Sequence, residues 1–171
     1  MTLTFYIFVF CIFLCICLLK KLGIKTINGH ALWPTDSFQI FSFNDGQCLF
    51  DYYVVAHISA NIMYYILGLI LNISNINLFV ITLAIIFEII ENSTFIIQIF
   101  KSQQQYNDYQ GESVVNMYGD VLVSVLTCEV LNYFNFSINN MVLIIFLLEY
   151  IAYLIIKDGI FKYIYDLIKK T

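Results

Sequence analysis

Apolar residues fall along this chain in five runs, at about 3–19, 54–71, 78–100, 114–134 and 141–156. A helix crosses roughly 30 Å of hydrocarbon with about 20 residues, so runs of this length read as membrane spans. None contains proline, and polar or asparagine-rich connectors separate them. The pattern predicts an all-α fold: a polytopic transmembrane helical bundle of about five spans, forming a single membrane domain over 1–171. In the last stretch, 157–171, Ile160, Phe161, Ile164, Leu167 and Ile168 share one helical face, with Lys162, Asp166, Lys169 and Lys170 elsewhere around it. Such a segment is expected to lie in the membrane interface as an amphipathic helix.

Composition removes the main competitor. Hydrophobic residues make up 61% of the 171 and charged residues 12%, against about 25% charged in a soluble domain, and the mean hydropathy is +0.83. The eight bases are all lysine and face twelve acids, for a net charge of −4. Nucleic acid is therefore an unsuitable partner, because phosphate neutralisation needs clustered bases. The abundance of Ile, Asn, Tyr, Phe and Lys is what coding drift in an AT-rich genome produces, and it carries no function.

Lysine positions set the topology. Lys20, Lys21 and Lys25 follow the first run, Lys101 the third, and Lys157, Lys162, Lys169 and Lys170 the fifth, while the connectors 72–77 and 135–140 carry no charge. By the positive-inside rule the N-terminus belongs on the lysine-free side and the C-terminal tail on the lysine side. Positive charge follows the first run and does not precede it, so that run reads as a retained span, not a cleaved signal. Cys11, Cys15, Cys17 and Cys128 lie within apolar runs, where a thiol acts as a small hydrophobe. Trp33-Pro34 and Asn44-Asp45-Gly46 in the long first connector read as an interface-anchoring aromatic and a turn. The two glycosylation-type triplets, at Asn72 and Asn135, sit tight against predicted spans and read as chance matches.

Ionisable residues at membrane depth are costly and usually mark function. Asp51 and His57 open the second run, Glu88, Glu91 and Asn92 lie in the third, and Glu112, Asn116 and Asp120 open the fourth. Spacings of three and four residues put each set on one helical face, as they do for His57, Asn61 and Tyr64. Three helices could thus offer polar stripes to one pocket at the lysine-side interface. An all-oxygen set such as Glu91, Glu112 and Asp120 suits a hard divalent cation, Mg²⁺ or Mn²⁺. Shared protons among the acids, or plain interhelical hydrogen bonding, are the alternatives.

In order, Gln47, Asp51-Tyr52-Tyr53 with His57, Glu91-Asn92-Ser93, and Gly111-Glu112-Ser113-Val114-Val115-Asn116 with Gly119-Asp120 resemble an uncharacterised bacterial inner-membrane family. That family is domain of unknown function 2585, itself similar to VanZ-like membrane proteins. Its pattern runs Asp-Trp-Tyr with a following His, then Glu-Asn-Ser, then Gly-Asp-Ser and two hydrophobic residues before Asn. This chain departs from it with Ala60-Asn61 for His-Gly, Cys48 for His and Glu112 for Asp. The resemblance covers about Gln47–Asp120, and it implies a helical membrane fold in which Asp51, His57, Glu91, Asn92, Glu112 and Asn116 group together. It implies a bacterial inner membrane, or the mitochondrial inner membrane in a eukaryote, and no particular reaction.

Two functions follow as expectations. The first is a structural or accessory component of a membrane complex, with the bilayer and other membrane subunits as partners. The alternative is a membrane-embedded enzyme acting on a lipid or lipid-linked substrate. There His57 would serve as general base, Asp51 would orient it, and Glu91 and Glu112 would act as acid or metal ligands beside Asn92 and Asn116. An ion or proton carrier using Glu88, Glu91 and Asp120 ranks last, for want of an inverted repeat.

Overall fold

A computed structural model describes residues 3–22, 26–27, 30–33, 40–41, 46–102 and 111–156. Among them are six helices: α1 (Leu3–Lys21), α2 (Val54–Ile70), α3 (Ile76–Glu91), α4 (Thr94–Lys101), α5 (Val114–Phe134) and α6 (Ile138–Ile156). A small antiparallel ladder pairs β1 (Thr26–Ile27) with β2 (His30–Ala31). The expected interfacial tail, 157–171, lies outside the described residues.

Short polar side chains in the connectors determine where the helices begin and end. Asn75 Oδ1 accepts from the N–H of Leu78, Ser93 Oγ from Ile96, Ser113 Oγ from Asn116 and Ser137 Oγ from Asn140. Each side chain thereby satisfies an amide of a first helical turn, a contact usually worth about 1 kcal/mol. Asn72 ends α2 with φ +53°, while its N–H donates to Leu69 O and the N–H of Ile73 to Gly68 O. That pair of bonds is a Schellman motif, and Asn135 takes the same left-handed conformation after α5. The two triplets at Asn72 and Asn135 are thus helix punctuation.

The third apolar run is two helices, not one. Asn92 and Ser93 interrupt it, Ser93 capping α4 while the Asn92 amide turns away to a partner described below. At 1.5 Å per residue the 16 residues of α3 reach about 24 Å. Two helices, Val114–Phe134 and Ile138–Ile155, are long and apolar enough to cross a membrane among the described residues, and α2 is a shorter apolar helix.

The residues divide into two compact units, the first comprising Met1–Asp51 and Ala84–Leu122, the second Tyr52–Leu83 and Val123–Thr171. In the first, Ile16, Leu32, Trp33, Leu49 and Val115 form the apolar core, with Phe13, Phe50 and Tyr118 packed around it. Trp33, expected at a membrane interface, is instead a core residue. Its ring lies 6.4 Å from that of Phe13, and the Lys20 ammonium stands 4.8 Å from its centroid. The Tyr118 hydroxyl donates to the carbonyl of Val9, which ties α5 to α1. In the second unit α2 packs along α6 around Ile62, Leu131 and Met141. There the buried Ser59 hydroxyl donates to Glu149 Oε1 at 2.7 Å, and the Tyr65 hydroxyl donates to Asn132 Oδ1 at 2.7 Å.

Helix faces are inverted relative to those of a water-soluble protein. α3 buries Glu88 beside Val80, Ile81 and Ala84, while Ile85, Ile86, Phe87, Ile89 and Ile90 are exposed. α5 buries Asn116, Asp120, Ser124 and Thr127, one polar stripe at spacings of four and three, and exposes Leu126 and Val130. α6 presents Leu143, Phe146, Leu147 and Leu154 outward.

Ser59→Ala is expected to cost about 1–3 kcal/mol, because it leaves a buried Glu149 oxygen without its donor. Unfolding in detergent measures this, and a double-mutant cycle with Glu149→Leu, which removes the acceptor, should return a clear coupling; a coupling near zero would contradict the bond.

Candidate functional site

The site is assembled in the first unit from the 46–51 loop, the end of α3 and the start of α5. Backbone joins loop to helix: the N–H of Ser113 donates to Gly46 O at 2.7 Å and that of Val115 to Leu32 O at 3.1 Å. These acceptors, together with the Ser113 hydroxyl, occupy the amides that open α5. Gly46 supports the turn with φ +69°, and its N–H donates to Asp51 Oδ2 at 2.6 Å. Gly119 allows the loop to lie against α5. A Cβ built there would stand 1.7 Å from the carbonyl oxygen of Leu49, so no side chain fits.

Onto this frame the polar stripe is bonded residue by residue. Asn92 Oδ1 accepts from the N–H of Glu112 at 2.9 Å, and Asn92 Nδ2 donates to Glu112 Oε2 at 2.8 Å and to Glu88 O at 3.2 Å. One carboxamide thus binds both the backbone and the carboxyl of Glu112. Asn116 Nδ2 donates to Cys48 O at 2.8 Å and reaches Asp51 Oδ2 at 3.5 Å. Asp51, Glu88, Asn92, Glu112, Asn116 and Asp120 are all buried.

Electrostatics make this arrangement costly unless something compensates. Single oxygens of Glu88, Glu112 and Asp120 lie within 4.8 Å of one another. At an effective dielectric near 20, two full negative charges at that distance repel by about 3.5 kcal/mol. The set therefore holds protons, a cation, or both in turn.

Of the residues singled out from the sequence, Asp51 and Asn116 form one hydrogen-bonded pair and Asn92 and Glu112 another, in the same unit. Glu91 stands next to Asn92, half-buried, with its Oε2 accepting no hydrogen bond. Asp120 falls with Glu112, and Glu88, not Glu91, completes the oxygen triplet around them. His57 lies in the first turn of α2, in the second unit, half-buried. Three contributors were named in the sequence motifs without a role: Gly119, the Cys48 carbonyl and the Ser113 cap. Only the last had a usable signal, a serine placed just before an apolar run.

A helical chain that buries acids and amides and exposes isoleucine and phenylalanine defines a class more than a reaction. Its sequence belongs to the family described as protein of unknown function (DUF2585), whose profile matches residues 19–170. That match runs well past the Gln47–Asp120 stretch of polar motifs, since apolar helices carry few distinctive residues of their own. Comparison with curated proteins finds no match, and comparison with solved structures finds none.

Two substitutions test the frame. Gly119→Ala should destabilise the protein by about 1–3 kcal/mol by driving the Leu49 carbonyl off α5. Asn92→Leu should cost a similar amount, because it strands the Glu112 N–H and carboxyl in a buried place. Denaturant unfolding in detergent micelles measures both, and wild-type midpoints in either variant would contradict the geometry described.

Proposed function

We propose that this protein is a multi-pass integral membrane protein of about five spans that serves as a structural or accessory component of a membrane complex. The inverted helix faces carry the reading. In water the exposed Ile85, Ile86, Phe87, Ile89 and Ile90 of α3 would form an apolar patch of a kind soluble monomers avoid, while lipid accepts them. Acids and amides directed inward are what a bilayer demands of a helix that carries them. The acid and amide side chains spend much of their hydrogen-bonding capacity on the protein's own backbone, as expected of groups that order helices. An inner membrane, bacterial or mitochondrial, is the proposed residence, with kinship to VanZ-like proteins.

A second reading rests on Glu91, whose unbonded Oε2 beside the fixed Asn92 is available for chemistry. There the chain is a membrane-embedded enzyme for a lipid or lipid-linked substrate, with Glu91 as acid.

Labelling decides the topology. In a background without the five native cysteines, Ser137→Cys and Lys170→Cys should react with impermeant reagent from opposite sides of the membrane. Reaction from the same side would refute five spans. Glu91→Gln separates the two functional readings. In the structural one it leaves stability and the size of the detergent-extracted assembly unchanged, because Gln replaces a neutral carboxyl as donor and acceptor. A protein that extracts only as a 19.9 kDa monomer, or a Gln variant that abolishes turnover of a lipid substrate, would overturn it.

A further inference from the structure

We propose that Glu88, Glu112, Asp120 and the Oδ1 atom of Asn116 hold a hard divalent cation, Mg²⁺ or Mn²⁺, within the first compact unit. Three carboxylate oxygens within 4.8 Å of one another are close enough to share one ion. The residues bearing them are 3%, 8% and 2% exposed, so bulk water does not screen their charge.

An independent observation comes from Asn116. It is fully buried, its Nδ2 is committed to Cys48 O, and its Oδ1 accepts no hydrogen bond. A buried carbonyl oxygen left in this state calls for a donor or a cation. Its place on the helix says which: within α5 Asn116 stands four residues before Asp120 and shares its face, with Glu112 two residues before the helix begins.

Donor chemistry then selects the ion. All four proposed ligands are oxygen, the donor type that magnesium and manganese favour. Four protein oxygens leave two octahedral positions for water, the mixed shell that Mg²⁺ keeps, whereas Ca²⁺ takes six to eight ligands. Asn92 acts beside the site as a positioning residue, because its amide fixes the Glu112 carboxyl through Oε2. The inference concerns one unit and an ion count, so it stands or falls separately from the number of spans or the membership of a complex.

The test uses the full chain in detergent, stripped with chelator and titrated with Mn²⁺ alone. Electron paramagnetic resonance should register one bound Mn²⁺ per chain, displaced by excess Mg²⁺, and either ion should raise the melting temperature. Asp120→Asn keeps the shape and removes one ligand charge. It should weaken Mn²⁺ binding by about tenfold or more, the low end of what even outer-shell changes cost, while Glu129→Gln, on α5 but outside the set, leaves binding as in the wild type. Should Asp120→Asn not fold, Glu88→Gln takes its place. A folded wild type that binds no Mn²⁺, or binding that Asp120→Asn and Glu88→Gln leave unchanged, overturns the site.

Discussion

One carboxamide substitutes for a stretch of backbone, and the first unit is organised around that substitution. Asn92 offers Glu112 an acceptor for its N–H and a donor for its carboxyl, much as a neighbouring strand would, and also returns a bond to its own α3. Few side chains can do this, because only a planar group with both functions on one end reaches both atoms together. Since α3 ends at that residue and α5 starts just after Glu112, the interaction joins two helix ends at the level where their acids lie. The break in the third apolar run falls at this residue.

The loop 46–51 contributes what helices cannot. Its carbonyls at Gly46 and Cys48 accept from the start of α5 and from Asn116, and its one acid, Asp51, accepts from Gly46. Burial then strengthens each of these bonds, because no water competes for the partners. The same burial raises the cost of every acid not compensated. A network of this kind is therefore rigid and charged at once, which is consistent both with an ordering role and with an ion at its centre.

Much of this was legible beforehand, for specific reasons. Period and length located α1, α2, α5 and α6 within a few residues, since apolar runs bounded by polar connectors leave little choice. The four-residue spacing of Asn116 and Asp120 gave their common face, because helical geometry alone decides it. What could not be read was the turn at Asn92-Ser93, whose two residues lie inside an apolar run and differ from interhelical glue only by the partner they find. Trp33 was misplaced for a similar reason: an aromatic beside a proline in a long connector has the look of an interface anchor, and only packing on Phe13 and Leu49 makes it a core residue. Glu91 and Glu88, three residues apart, were equally eligible as ligands until helix rotation set Glu88 inward.

Chain separation between partners gives the molecule an order of assembly. Asn92 and Glu112 are 20 residues apart, Cys48 and Asn116 are 68, and Ser59 and Glu149 are 90. Closing a flexible loop costs only about 0.6 kcal/mol more for each doubling of its length, so these pairs differ little in entropy. They differ in when they become possible. The first unit has all its partners once synthesis has passed Asp120, whereas the α2–α6 pair must wait for the last helix. During that interval Ser59 is present without its acid, and the nascent chain is half-built, with one unit complete and the other represented by helices whose mate has yet to emerge.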